Sequence, residues 1–309
     1  MHSPAKEFRL TERRNPASKN IDRMSSLEIV RLMNREDRKV AAAVAREVPA
    51  IARAVDEIVA SLESGGRLIY VGAGSSGRLA ILDASECPPT FGVSREIVQA
   101  LIAGGRRAIT DAVEGAEDSE RDAVRDLRRR KLSSKDVVVG VAASATTPYV
   151  IGAMRYAKKR GAMTIGIAAN RVGPLLKLAE IFIAPEVGPE VLTGSTRLKA
   201  GTAQKMVLNV LSTAAMVQLG HVYENLLIDM ERTNEKLEGR AVRIVQAASG
   251  RSLSTAEHAL RSAGHNMRIA LVMLKRNVNA PTAKGMLSKA KGNLRAALGE
   301  TRGEKKRKG

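Results

Sequence analysis

The sequence predicts an α/β protein: a doubly wound, five-stranded parallel sheet with N-terminal helices before it and a small C-terminal helical domain after it. Three observations carry this reading. Between Arg67 and about Gly220, short β-branched runs alternate with helical patterns, as in successive βαβ units. The stretch Gly72-Ala73-Gly74-Ser75-Ser76-Gly77 follows the apolar run Leu68-Ile69-Tyr70-Val71 and leads into Arg78-Leu79-Ala80-Ile81-Leu82, in the order strand, glycine turn, helix. Beyond Gln246 the pattern changes to short helices. The expected divisions are an N-terminal helical segment over 1–60, the sheet domain over 61–240, a small helical domain over 241–300 and a basic tail over 301–309.

Each element has a local cause. Ser25-x-x-Glu28 is a capping box, and Ile29, Val30, Leu32 and Met33 follow it at helical spacing. A second helix is expected over about 40–62, with Val44, Val48, Ile51, Val55 and Ile58 on one face and Gly65-Gly66 as its stop. Strands are expected at 67–71, 97–102, 136–142, 163–168 and 180–184. The third runs into Ala142-Ala143-Ser144-Ala145-Thr146-Thr147-Pro148, where Pro148 suits the first turn of a helix over 149–159. In the C-terminal part, Ser254-x-x-Glu257 is read as a cap, a helix is expected over 267–274 and another opens near Pro281. Ala259, Leu260, Ile269, Leu271, Leu274, Met286 and Leu287 would form the core there.

Composition bounds the function. With 44% hydrophobic residues, 2% aromatic and no Trp, the core must be built from Ala, Val, Ile, Leu and Met. One cysteine, Cys87, leaves no internal disulfide and no Cys-based zinc cluster, so a reducing cytoplasm is the natural compartment. The four histidines, His2, His221, His258 and His265, show no metal-type pairing. No metal site is expected. No apolar run approaches the roughly 20 residues of a membrane span, and Met1-His2-Ser3-Pro4 lacks a signal-peptide hydrophobic region. A soluble protein without a membrane partner follows. The net charge of +19 raises nonspecific attraction to polyanions. Part of it sits in the tail ending Lys305-Lys306-Arg307-Lys308, expected to be disordered. Neither a recognition-helix pattern nor interleaved aromatics accompanies it, so no specific nucleic-acid partner is expected.

The glycine turn is the first functional signal. Unpaired N–H groups at a helix start attract an anion such as phosphate. The spacing also fits the dinucleotide fingerprint, but the next strand ends in Gly104-Gly105-Arg106-Arg107 rather than in the carboxylate a ribose needs. Two adjacent hydroxyls, Ser75 and Ser76, suit the several oxygens of a phosphomonoester. Ligands in such sheets bind outside the carboxyl ends of the strands. Gly74, Ser75, Ser76, Ser144, Thr146 and Thr147 are therefore expected to converge on one pocket for a phosphorylated small molecule.

Hydroxyl-rich loops after the first and third strands of such a sheet resemble the sugar isomerase (SIS) domain, which binds phosphosugars. Longer segments narrow the match: Thr11-Glu12 with Asn15-Pro16, Leu82-Asp83-Ala84-Ser85-Glu86-Cys87-Pro88-Pro89-Thr90, Val113-Glu114-Gly115-Ala116-Glu117-Asp118, the run from Leu192-Thr193-Gly194-Ser195 to Gln204-Lys205, and Thr233-Asn234-Glu235-Lys236-Leu237. Together they resemble the N-acetylmuramic acid 6-phosphate etherases. The resemblance implies a lyase that cleaves a lactyl ether to give N-acetylglucosamine 6-phosphate and D-lactate in cell-wall sugar recycling. It implies no cofactor and a homodimer with sites near the subunit interface. Glucokinase regulatory proteins use a similar fold to bind phosphosugars without chemistry, which leaves a noncatalytic phosphosugar-binding regulator as the alternative.

Elimination of lactate needs a base for the C2 proton and an acid for the departing oxygen. By motif, the resemblance gives Glu86 the role of proton donor and Glu117 that of second catalytic carboxylate. Glu114, three residues earlier, is a rival base if both share a helical face. Ser195 and Lys199 are added as substrate-binding residues. Arg197, Lys199 and Lys205 could meet either the lactyl carboxylate or the phosphate, and Asn234-Glu235-Lys236 could serve from a partner subunit. Two departures stand out. The family's usual Ser-Gly-Arg-Thr appears as Ser144-Ala145-Thr146-Thr147, and its Ser-Cys-Asn-Pro as Ala168-Ala169-Asn170-Arg171. Arg171 is a candidate replacement for the lost charge.

Overall fold

The structure, a computed structural model, describes residues 10–230 and 235–300. The basic tail, His2 and Asn234 lie outside the described residues. The chain forms two compact units: one takes the residues up to Glu86 together with Ser94–Ala215, the other Cys87–Val93 with the residues from Met216 onward.

The first unit opens with helices α1 (Ser26–Ala45) and α2 (Val48–Glu63). The capping box forms as its spacing demands: Glu28 N–H donates to the Ser25 hydroxyl, and Ser25 N–H donates to the Glu28 carboxylate at 2.7 Å. The boundary between the helices differs from the sequence reading, which started the second helix near residue 40. Apolar spacing runs on through Val44 and Val48, but Pro49 lacks an N–H and fits only the first turn of a helix, so the chain breaks at Arg46 and Glu47. The break is useful. It sends buried Glu47 toward Ala184, whose N–H it accepts at 3.1 Å.

The sheet consists of β1 (Leu68–Gly72), β2 (Val98–Ile102), β3 (Val137–Val141), β4 (Met163–Ile167) and β5 (Ile181–Ile183). All neighbours are parallel, in the order β2-β1-β3-β4-β5, with Leu68 in register with both Val98 and Val137. Sheets of this kind are covered on both faces, which is why β1 and β3 are buried along their whole length and read as continuous apolar runs. Helices α3 (Gly74–Phe91), α4 (Glu120–Arg129), α5 (Pro148–Lys159) and α6 (Pro174–Leu178) follow successive strands, and α7 (Lys199–Gln218) follows β5. The chain leaves β1 toward β2 on one side, and β3 returns to the other side. The loops after β1 and β3 therefore flank the topological switch point, where α/β sheets hold their ligands.

The second unit contains a two-stranded antiparallel pair, β6 (Val222–Tyr223) with β7 (Leu226–Leu227), and helices α8 (Glu235–Ser249), α9 (Leu253–Ser262), α10 (Met267–Arg276), α11 (Ala280–Lys289) and α12 (Leu294–Ala297). Ala259, Leu260, Leu271 and Leu287 lie in its core, with Ile269, Leu274 and Met286 packed at its margin. The α9 cap differs from the sequence reading. Ser252 rather than Ser254 accepts the first-turn N–H, from Thr255. Both serines precede acceptable cap spacings, and Gly250 just before Arg251 ends α8 early enough for the nearer one to serve.

Three of the four tyrosines are almost fully buried and give their hydroxyl protons to carboxylates: Tyr70 to Asp83 at 2.9 Å, Tyr149 to Asp126 at 2.8 Å and Tyr223 to Glu300 at 2.9 Å. Burial and the Asp126 charge push the Tyr149 phenol far above its ordinary range.

Candidate active site

The turn after β1 is built by close approach. A side chain on Gly77 would strike Ile102 at 2.5 Å, and one on Gly72 would reach Gly77 N at 2.7 Å, so glycine at both lets α3 start directly on the end of β1. Gly74 takes a left-handed φ of 51° at the first helical position. Ser75 and Ser76 thereby sit in the first turn of α3, beside N–H groups that the helix itself leaves unpaired.

The loop after β3 carries the second hydroxyl cluster. Thr146 donates through its hydroxyl to Ser144 Oγ at 3.0 Å and through its N–H to the same atom at 3.3 Å. Thr147 is the cap residue of α5, and its side chain makes no capping bond. Ala145, where the family pattern has glycine, stands at φ 60°. A left-handed alanine costs about 1–2 kcal/mol. Its methyl is fully buried, which returns about 0.8 kcal/mol, and glycine would add about 0.5–1 kcal/mol of unfolded-state freedom. These terms nearly cancel. Ala145→Gly is therefore expected to change the unfolding free energy by less than about 1 kcal/mol, as denaturant titration would measure.

Glu86 lies on α3, and Pro88 and Pro89, two and three residues further on, are inside the same helix. Ser75, Leu79, Leu82 and Glu86 recur at i, i+4, i+7 and i+11, so they share one face of α3. At 1.5 Å per residue Glu86 is about 16 Å along the axis from Ser75. The helix is held by Asp83, a buried carboxylate that accepts from Tyr70 on β1 and from Asn209 (2.6 Å) and Ser212 (3.0 Å) on α7. Burial pushes the Asp83 carboxyl up, against the lowering effect of those three hydrogen bonds.

Glu117 belongs to a one-turn 3-10 segment, Ala116–Asp118, in the loop that follows β2. The loop folds tightly there because Gly104 has no side chain: a Cβ would lie 3.2 Å from that of Ala116. Gly115 has a φ of 68°, which interrupts the backbone between Glu114 and Glu117. The two carboxylates do not share a helical face, contrary to the reading that made Glu114 a rival by i, i+3 spacing. Glu86, Glu114 and Glu117 are all exposed.

Ser75 lines a cavity of about 460 Å³ with Arg78, Leu79, Leu82, Arg197, Gly201, Thr202 and Lys205. Arg78 is spent on the carbonyls of Ala108, Ile109 and Asp111. Arg197 and Lys205 are exposed and form no ion pair among the described residues. Neither Glu86 nor Glu117 lines this cavity.

Lys199 is elsewhere. Only 1% exposed, it gives its ammonium to Glu36 on α1 at 2.7 Å, and Glu36 also accepts from Asn15 at 2.9 Å and from Lys39. Burial alone would raise the Glu36 carboxyl, but the bonds from Lys199, Lys39 and Asn15 outweigh it and hold the group at about 2. Buried Glu190 accepts the N–H groups of Lys199 and Ala200 and so caps α7. Ser195, half-buried, is a turn residue before α7: Leu198 N–H donates to its carbonyl. Arg171 does not replace the missing loop charge. It pairs with Glu47 and, at 3.5 Å, with Glu186. The role of Asn170 was not foreseen: buried, it donates to the carbonyl of Ala143 at 2.8 Å and braces the β3 loop.

A parallel sheet of this order, with hydroxyl loops flanking its switch point, defines an α/β protein of the sugar isomerase (SIS) class. Residues 50–158 match the family model of the glucokinase regulatory protein N-terminal SIS domain. The chain belongs to the N-acetylmuramic acid 6-phosphate etherase family. Its relatives of that name include one from Clostridium beijerinckii, 52% identical over 94% of this chain and 95% of the relative. Others come from Edwardsiella ictaluri, 53% identical over 94% and 97%, and Yersinia pestis, 53% identical over 94% and 98%. Among solved structures, a phosphoheptose isomerase from Francisella tularensis matches with a TM-score of 0.50 and 19% identity, covering 63% of this chain and all of that one. That likeness speaks for the fold alone.

Proposed function

We propose that this chain is a lyase that cleaves the D-lactyl ether of N-acetylmuramic acid 6-phosphate, giving N-acetylglucosamine 6-phosphate and D-lactate in cell-wall sugar recycling. The observation that carries the reading is identity above 50% to etherases over 94% of the chain. A noncatalytic phosphosugar regulator is less well supported, because the regulatory-protein model covers only residues 50–158.

In the open-chain sugar, the C2 hydrogen is α to the aldehyde and the C3 ether oxygen is β to it. A carboxylate takes the C2 proton, the electron pair forms the C2–C3 double bond, and the C3–O bond breaks. Glu86 delivers a proton to the lactate oxygen as it leaves. Water then adds, its oxygen to C3 and a proton to C2. Glu117 is the carboxylate we assign to the C2 proton and the water, and the two roles are of the kind that general acid and base catalysis requires. The phosphate would be read by the head of α3 (Gly74, Ser75, Ser76) and by Ser144, Thr146 and Thr147. Ser195 and Lys199 are the further substrate-binding residues that the family resemblance assigns, although in this structure the Lys199 ammonium is held by Glu36. No cofactor enters the chemistry. Among the described residues no helix is long and apolar enough to cross a membrane. A cytoplasmic homodimer is part of the same proposal, and the dimer rests on the family resemblance alone.

The test is incubation with N-acetylmuramic acid 6-phosphate and an assay for D-lactate. Release of lactate is the expected result, and phosphosugar binding without lactate would favour the regulator. A related expectation concerns the altered β3 loop. Charge-assisted contacts to phosphate contribute roughly 1.5–3 kcal/mol, so the double change Ala145→Gly, Thr146→Arg should lower the Michaelis constant about tenfold or more with little change in kcat. Steady-state kinetics on both proteins, with an unphosphorylated sugar as control, checks this.

A further inference from the structure

Gln204 on α7 is 2% exposed, and its Nε2 finds no hydrogen-bond partner among the described residues. Its Oε1 accepts the proton of Ser76 at 2.9 Å. A buried donor without a partner is costly, and such groups in folded proteins call for an explanation. The arrangement is also the wrong one for phosphate: with its proton turned to Gln204, the Ser76 hydroxyl shows only lone pairs to the head of α3, and phosphoryl oxygens are acceptors too.

We propose that Gln204 is a positioning residue for phosphate recognition, acting through Ser76. The inference rests on the phosphosugar reading of the site. When the phosphate arrives, the carboxamide turns by half a rotation, so that Nε2–H donates to Ser76 Oγ and the Ser76 proton is released to a phosphoryl oxygen. One motion satisfies the orphaned amide and converts Ser76 from acceptor to donor. The Gln204 carbonyl oxygen takes the unpaired place, where an oxygen is more readily tolerated than an N–H. Gly201, Thr202 and Lys205 on α7 line one cavity with Ser75 of α3, and the Ser76–Gln204 bond joins the same two helices, although neither of the pair lines that cavity.

The experiment is a double-mutant cycle on binding of N-acetylglucosamine 6-phosphate by calorimetry, with wild type, Gln204→Met, Ser76→Ala and the double variant, and with unphosphorylated N-acetylglucosamine as control. Methionine matches glutamine in length and helix preference, so α7 is retained. Gln204→Met should weaken binding of the phosphosugar about tenfold in the wild-type background and less than twofold when Ser76 is already alanine. In steady state the loss should fall on KM, with kcat within about twofold. Without ligand, the unfolding midpoint of Gln204→Met should be unchanged or higher, because the orphaned amide is gone. Wild-type affinity in Gln204→Met, a loss that persists undiminished beside Ser76→Ala, or a lowered midpoint overturns the proposal. Absence of phosphosugar binding by wild type would instead overturn the reading beneath it.

Discussion

Replacing Glu86 or Glu117 by glutamine should lower turnover by at least about a hundredfold while the protein stays folded. A positioned proton donor or acceptor typically contributes a factor of about 10²–10⁴. Glutamine keeps the size and helix preference of glutamate, and both side chains are exposed, so no core contact is lost. The two variants should differ in character. With the roles proposed above, Glu86→Gln should impair protonation of the leaving lactate, so a substrate analogue with a better leaving group at C3 should recover part of its rate. Glu117→Gln should impair removal of the C2 proton, so exchange of that hydrogen with solvent deuterium should be lost. Lactate assays, NMR exchange and circular dichroism supply the measurements. Near-normal lactate release from both variants would sink the mechanism.

The second large effect concerns stability. Glu36 and Lys199 are 2% and 1% exposed, and they join α1 to the start of α7. Removing one partner leaves the other charge buried, which costs about 3–5 kcal/mol, whereas replacing both by apolar residues of similar volume is often neutral. Glu36→Ala and Lys199→Ala should each destabilise by that amount, and Glu36→Met with Lys199→Met by far less. The pH dependence has a definite sign. The Glu36 carboxyl lies at about 2 in the folded protein against an ordinary 4.5. Its contribution is therefore complete above pH 4.5 and disappears as the pH falls through 2. Urea titrations across that window should show a shallower acid loss for the Met pair than for wild type.

The sheet was legible because its strands are short, aliphatic and buried on both faces, so β-branched runs between helical patterns marked all five to within a residue or so. Local chemistry was legible too: the Ser25 capping box and Pro148 at the head of α5 are decided within four residues. What escaped depends on distant partners or competing signals. The α1–α2 break was hidden by an apolar stripe that crosses it, although Pro49 was the available sign. Lys199 reads as a surface cation until Glu36, 163 residues away, is seen to neutralise it. Gln204 stood inside a recognised motif, but nothing in the sequence says that its amide is buried against Ser76.

The tyrosine pairs turn the protein into its own reporter. Without tryptophan, near-ultraviolet emission comes from four tyrosines, and Tyr70, Tyr149 and Tyr223 each donate to a carboxylate, an arrangement that drains the excited phenol by proton transfer. The folded chain should thus glow weakly and brighten as it unfolds. Tyr70 and Tyr149 belong to the first compact unit and Tyr223 to the second, so single Tyr→Phe changes would separate the melting of one from that of the other without any dye.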